Sequence, residues 1–246
     1  MPDSSSDFWI ITGAASGIGA ATARLARERG AQVLMLDVDA ERGQPIAEDI
    51  GAHFAVCDVS DEASWQEVAT RAREIGTPTH IHLNAGIQIA SPSAPLSAYA
   101  FEAATLENYR RMMGVNVDGV VLGLRALLPQ MSPGGAIVVT ASLAGITPYD
   151  VDPLYSMSKH AVVGLVRSLA TPLQAQGLRI NALCPGGIDT NIIPEAQRTD
   201  AAVFMTPEAI ADEVLVLMDT EITGKSWAKV AQNKPAFIVR APGDKS

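Results

Sequence analysis

Phe8-Trp9-Ile10-Ile11 is an unbroken apolar run that stops at Thr12-Gly13, and a helical pattern with Ala21, Leu25 and Ala26 on one face follows from about Ile18. An apolar run without alternation suits a strand covered on both faces, as strands of parallel sheets are. The same unit then recurs along the chain. Gln32 to Leu36 is a predicted strand ending at Asp37, with a helix from Asp39. Ala52 to Cys57 is a third strand, ending at Asp58. Ser60-Asp61-Glu62 opens the next helix, to about Ile75; Ser60 is the expected cap, and the acidic pair suits the positive helix end. His80 to Leu83 is a fourth strand, ending at Asn84-Ala85-Gly86.

An Ala/Ser/Pro-rich loop, Ile89 to Ala104, leads into a helix from about Leu106 to Leu128. Loops of this length in compact domains are usually functional or mobile. Ala136 to Thr140 is a fifth strand. Asp152-Pro153 reads as N-cap and first residue of a helix to about Ala175, with a kink or early fray expected at Pro172. Leu178 to Leu183, a helix from Thr206-Pro207-Glu208, and a seventh strand, Ser226 to Ala231, complete the series. Gly30 stands where a helix-ending glycine belongs. Repeated β-α-β order implies right-handed crossovers. The expectation is an α/β fold: one doubly wound domain over residues 1–246, a parallel sheet of about seven strands with helices on both faces.

Composition narrows the partners. The 246 residues carry a net charge of −9 and only 5% aromatics, which argues against nucleic acid and anionic membranes. Cys57 and Cys184 fit no zinc spacing and read as buried free thiols in a reducing compartment. Met1 to Asp7 is polar and acidic, unlike a leader, and no apolar run reaches about 18 residues without a charge, Gly or Pro. A cytoplasmic protein without a membrane span or metal site is expected. His80 and His82, alternating on one strand, read as satisfied strand residues, and Met112-Met113 as core filler.

The turn Thr12-Gly13-Ala14-Ala15-Ser16-Gly17-Ile18-Gly19 joins the first strand to the first helix. Glycines there let the backbone approach a pyrophosphate, and the helix N-terminus offers unpaired N–H groups. Asp37, 18 residues past Gly19, ends the second strand. A carboxylate at that place accepts hydrogen bonds from ribose hydroxyls and repels a 2′-phosphate. Ala14, Ala15 and Val38 bring no cation to offset that repulsion, so NAD is favoured over NADP. Tyr155 and Lys159 share one face of a predicted helix, about 6 Å apart along its axis. A nearby ammonium stabilises a phenolate, so the pair suits general acid/base work. Ser142 follows the fifth strand, at the same sheet end, where a hydroxyl could orient a substrate oxygen. It lacks a nucleophile elbow.

Together these features resemble the short-chain dehydrogenase/reductase family over about residues 8 to 224. Thr12-Gly13-x-x-x-Gly17-Ile18-Gly19, Asn84-Ala85-Gly86, Asn116, Ser142, Tyr155-x-x-x-Lys159, Pro185-Gly186 and Thr190 match its ordered motifs. The resemblance implies a Rossmann fold and a mechanism. Tyr155 would exchange a proton with the substrate oxygen, Ser142 would hold that oxygen, Lys159 would bind the nicotinamide ribose and tune Tyr155, and Asn116 would bind a water. Asp58 and Val59 would contact adenine, and Ile188 with Thr190 the nicotinamide amide. Gly13, Ser16, Gly17, Ile18, Gly19, Asp37, Asn84, Ala85, Gly86, Pro185 and Gly186 would complete the cofactor cradle.

Departures are Leu83 before Asn-Ala-Gly, the long Ile89–Ala104 segment and an unusual C-terminus after Gly224, faintly similar to prostaglandin-dehydrogenase-like members. A homotetramer or homodimer is the family expectation, with Ala161, Val162, Gly164 and Leu165 suited to helix pairing. Gln88, Leu143, Tyr149, Ile192, Ile193, Phe204 and Met205 are candidate pocket positions, mostly apolar, which suggests a nonpolar secondary alcohol or ketone. Two alternatives are a ketoreductase working mainly toward reduction and a cofactor-binding scaffold without turnover. The intact Asn116, Ser142, Tyr155 and Lys159 set argues against the scaffold.

Overall fold

The computed structural model describes residues 7–199 and 203–241; Met1 to Ser6, on which most of the leader reading rests, lie outside them. One sheet runs through the described residues: β1 (Phe8–Thr12), β2 (Gln32–Asp37), β3 (His53–Val56), β4 (His80–Leu83), β5 (Ala136–Thr140), β6 (Arg179–Pro185), β7 (Ser226–Lys229) and β8 (Phe237–Val239). The order is β3-β2-β1-β4-β5-β6-β7-β8, so the winding reverses between β1 and β4. The first seven strands pair in parallel, and β8 adds an antiparallel edge with Trp227 opposite Ile238. Three residues are too few to show a periodicity, so sequence patterning stops at seven.

Among the described residues seven α-helices accompany the sheet: α1 (Gly17–Glu28), α2 (Ala40–Ile50), α3 (Glu62–Ile75), α4 (Leu106–Met113), α5 (Gly119–Leu127), α6 (Pro153–Gln174) and α7 (Pro207–Asp219). Alternate residues of β1 enter opposite layers, as the pleat requires. Phe8 and Ile10 join Trp65 of α3, Leu124 of α5 and Val166 of α6. Trp9 and Ile11 join Ala23 of α1, Ala47 of α2 and Val214 of α7.

Helix ends follow the expected chemistry with one correction. Asp39, Asp152 and Thr206 cap α2, α6 and α7 through side-chain oxygens. The cap of α3 is Asp61, not Ser60. Its carboxylate, a stronger acceptor than a hydroxyl, takes Ser64 N–H at 2.9 Å, while Ser60 donates to Asp58 at 2.6 Å. Gly30, at φ +87°, follows the C-cap of α1. α6 passes through Pro172 and ends two residues later at Gln174, so the proline sits in the last turn.

The helix expected from Leu106 to Leu128 is not uniform. A single π turn, Gly114–Asp118, separates α4 from α5. Such wide turns re-aim side chains and recur at functional sites. By length and composition Leu106–Gln130 could cross a bilayer, but Val120, Leu124 and Leu127 are packed into the sheet's core. The face of α6 named for helix pairing is also corrected: Val162 is core, because it points at the sheet, while Ala161 and Gly164 are exposed. Cys57 and Cys184 are free and buried, and burial pushes both thiols up to about 12.

Candidate active site

At the C-terminal edge of β1 the chain turns in left-handed backbone at Gly13, φ +64°. A Cβ on Gly19 would stand 2.2 Å from Gly13 O, so only glycine lets α1 start this close to the strand. Thr12 Oγ1 accepts from Asn84 N and Ala85 N at 2.8 and 3.0 Å, and Asn84 Nδ2 donates to Thr12 O at 3.2 Å. These bonds staple β1 to the turn after β4, where the strand order reverses. α-helix N–H groups in the first turn are left open, since Ser16 makes no side-chain cap. Asp37 lies across the turn: its Oδ2 accepts from Ala15 N at 2.9 Å and its Oδ1 from Asp39 N at 3.0 Å.

A cleft of about 700 Å³ runs along this edge. It is lined by Gly13, Ser16, Gly17, Ile18, Asp37, Asp58, Val59, Asn84, Ala85, Gly86, Ser142, Tyr155, Lys159, Pro185, Gly186, Ile188 and Thr190. Two sequence-predicted residues stand behind that lining. Gly19 backs the turn, and Asn116 is buried beneath the wall.

The π turn carries Asn116 into a bracket between two segments. Its Oδ1 accepts from Ile87 N at 2.8 Å; its Nδ2 donates to Ile87 O at 2.8 Å and to Ser158 Oγ at 3.0 Å. Ser158 in turn donates to Tyr155 O. Asn116 thus ties the strand exit after β4 to the first turn of α6. Asp152 does the same from the other side, accepting from Tyr155 N at 2.8 Å and Ile89 N at 3.0 Å. Asp152 was legible only as a cap; its hold on Ile89 spans 63 residues of sequence. The long segment after Ile89 walls the site, with Ile89, Tyr99 and Met112 packed on Tyr155 and Ala144.

Lys159 Nζ donates to Thr140 O at 3.0 Å and lies 5.6 Å from the Tyr155 ring centroid. Burial governs both groups. It pushes the Lys159 ammonium down to about 8. It also raises the Tyr155 phenol, against a hydrogen bond from Ser142 that lowers it. Lys159 is not among the groups that hold the phenol down, so the expected lowering is not seen here and the phenol stands above its ordinary value.

Sequence reasoning missed Thr140 and read His82 only as a satisfied strand residue; its Nε2 is satisfied, while its buried Nδ1 has no partner among the described residues. Thr140 Oγ1 donates to Asn84 Oδ1 at 3.0 Å and meets His82 Nε2 at 2.8 Å. Since the hydroxyl proton goes to Asn84, His82 Nε2 carries the donor proton. Burial holds the His82 ring neutral, down to about 3. His80 stacks on Trp9 at 4.5 Å. Among the described residues no group of three or more His, Cys, Asp and Glu could hold a metal. Of the candidate substrate positions, Gln88, Leu143, Tyr149, Ile192, Ile193 and Phe204 line the cleft. Met205 does not: it bridges to Ile188 and is buried in the core.

The family model for short chain dehydrogenases matches residues 8–201. The cis-4-hydroxycyclohexanecarboxylate dehydrogenase of Sinomonas cyclohexanicum is 36% identical over 240 residues, 94% of this chain and 92% of that protein. A 2,5-dichloro-2,5-cyclohexadiene-1,4-diol dehydrogenase of Sphingobium indicum is 34% identical, covering 82% of this chain and 81% of its own. A short chain dehydrogenase from Burkholderia cenocepacia, solved in complex with NADP, superposes with a TM-score of 0.80 at 26% identity, over 91% of this chain and 96% of that one. The protein belongs to the short-chain dehydrogenase family, whose members are oxidoreductases using a nicotinamide dinucleotide. The residues present fit such a group: a glycine turn with no room for side chains, open helix N–H groups and a cleft long enough to join Asp37 to Tyr155.

Proposed function

We propose that the protein interconverts a secondary alcohol and a ketone on a compact apolar skeleton, with NAD as its redox partner and Tyr155 as general acid/base. The observation that carries this reading is the convergence of Ser142, Tyr155 and Lys159 on one cleft with Asp37 at its far end. A bound nicotinamide dinucleotide supplies the hydride donor or acceptor. The chain's own residues position and move the proton. Ser142 Oγ orients the substrate oxygen, Tyr155 Oη gives it a proton or takes one, and the Lys159 ammonium offsets the charge left on the phenolate. Asn116 and Asp152 hold α6 so that Tyr155 faces the cleft. Gly13, Ser16, Gly17 and Ile18 would hold the pyrophosphate, and Asp37 the ribose hydroxyls. Asp58 and Val59 would take the adenine, and Asn84, Ala85, Gly86, Pro185, Gly186, Ile188 and Thr190 the nicotinamide half.

The choice of NAD rests on Asp37, whose carboxylate is fixed over the turn and has Ala15 and Val38 as neighbours. The apolar lining and the ring-shaped alcohols in the names of the two relatives support the skeleton. Rates in both directions, followed at 340 nm with NAD(H) and NADP(H) in parallel on cyclohexanol and cyclohexanone, test the reading. Turnover with NAD, its loss in Tyr155→Phe, and relaxed discrimination in Asp37→Ala are expected. Near wild-type turnover in Tyr155→Phe overturns the acid/base role, and unchanged preference in Asp37→Ala moves selectivity elsewhere.

A further inference from the structure

Past Tyr155 the cleft is walled by apolar side chains, among them Leu143, Ile192, Ile193 and Phe204. One amide breaks that surface, and it is only half satisfied. Gln88 is 5% exposed, and its Nε2 donates to Ile192 O at 2.9 Å. That bond fixes the orientation of the amide, because the flipped form would set oxygen against oxygen. The remaining atom, Oε1, is buried and has no hydrogen-bond partner among the described residues. A buried acceptor left unmade is unfavourable until a donor reaches it. Gln88 lines the cleft, where a donor on a bound molecule would supply the missing bond.

Gln88 does not stand alone. The Tyr149 hydroxyl is within 3.3 Å of Gln197 Oε1 and 3.2 Å of Gln197 Nε2, and the Gln88 amide is near enough to hold the Tyr149 phenol down against its burial. The Tyr149 ring meets the Tyr155 ring edge-on at 6.2 Å, so this polar trio begins one ring away from the reacting oxygen. The charges that act on Tyr149 are the carboxylates of Asp152 and Asp150. Arg198, on the facing segment, is taken up by Asp189 and by Thr190 O. Arg111 lines the cleft but is exposed on α4. A carboxylate entering beside Tyr149 would meet negative neighbours, whereas a neutral hydroxyl finds acceptors.

We infer that Gln88, with Tyr149 and Gln197, reads a second, uncharged hydroxyl on the substrate. The preferred substrate is then a diol or hydroxyketone on an apolar skeleton, rather than a simple secondary alcohol or a hydroxy acid. This inference rests on the dehydrogenase reading above.

The test compares kcat/KM for 1,4-cyclohexanediol, cyclohexanol and 4-hydroxycyclohexanecarboxylate in the wild type, Gln88→Met and Tyr149→Phe, with melting curves to establish folding. A missing hydrogen bond to a buried polar group commonly changes selectivity by tenfold or more. The wild type is expected to favour the diol over both others by about tenfold or more on that basis. Gln88→Met should bring the diol-to-cyclohexanol ratio close to one, and Tyr149→Phe should lower it in part. A merely structural effect would lower both rates and leave the ratio. Equal rates on diol and cyclohexanol, a ratio unchanged in both variants, or preference for the hydroxy acid would each overturn the inference. Should none of the three be turned over, the dehydrogenase reading on such skeletons fails, and calorimetric binding decides the subsite separately. Tighter binding of the diol than of cyclohexanol, lost in Gln88→Met, upholds it; equal binding overturns it.

Discussion

Two lysines are buried at the C-terminal side of the sheet, and they are kept in opposite ways. Lys229, 4% exposed at the end of β7, sits 2.7 Å from Glu213 Oε1 of α7 and also donates to Lys234 O. Lys159, 2% exposed on α6, has only the Thr140 carbonyl; among the described residues no carboxylate pairs with it. Burying an ammonium is costly, and a paired carboxylate offsets much of that cost. Lys229 therefore closes a structural joint between α7, β7 and the chain leading to β8. Lys159 holds a charge whose burial nothing of opposite sign repays, beside Tyr155 in the cleft. Under the proposed reading its compensation comes in the reaction, where it stabilises negative charge on the phenolate.

Substituting each lysine separates the two roles. Lys159→Met should lower turnover by about 100- to 10,000-fold, the usual range for a lost contribution to acid/base catalysis. The same change removes an uncompensated buried charge, so the melting temperature should hold or rise. A variant that loses stability in step with activity would make Lys159 a structural residue like Lys229. Lys229→Met should do the converse. It strands Glu213, 8% exposed, as a buried carboxylate, at a cost of about 3–5 kcal/mol. Adding Glu213→Leu should restore most of that stability, because a hydrophobic pair of similar volume often replaces a buried ion pair without loss. Urea denaturation of the single and double variants measures it. Equal destabilisation in both would mean that packing, and not the stranded charge, carries the effect.

The contrast also marks what could be read from the chain. Tyr155 and Lys159 lie four residues apart, so helical geometry alone brings them to one face. The glycine turn, Asp37 and the parallel, doubly wound sheet were legible for the same reason: each is local, or follows from repeated β-α-β connections. Lys229 and Glu213 are 16 residues apart on different elements, and nothing in either neighbourhood announces the other. The same holds for Asp152 and Ile89, and for His82, Thr140 and Asn84, whose bonds form only once β4 and β5 lie side by side. The π turn was hidden because its residues continue a helical pattern; only the packing of Asn116 against Ile87 reveals the shift. Val162 and Met205 were misplaced since composition cannot say which face of an element meets the sheet.

The smallest effect is the most specific to an unpaired lysine. Burial lowers Lys159 from its ordinary 10.5 to about 8 in the folded protein. Between those values the unfolded chain binds the proton and the folded one does not, so this group makes stability rise with pH. Well below about 8 both states hold the proton and the contribution is flat. The slope cannot exceed about 1.4 kcal/mol per pH unit for one proton. Cys57 and Cys184 act in the other sense. Their thiols, raised from 9.0 to about 12, make stability fall once the unfolded chain begins to ionise them. The unfolded thiols are half-ionised at their ordinary 9.0, so the Lys159 rise is clearest between about pH 7.5 and 8.5, where the lysine has begun to titrate and the thiols have barely done so. Urea midpoints across that range should climb in the wild type and lose that increment in Lys159→Met, while Lys229→Met keeps it. If the increment survives in Lys159→Met and vanishes in Lys229→Met, the two lysines have been assigned the wrong way round.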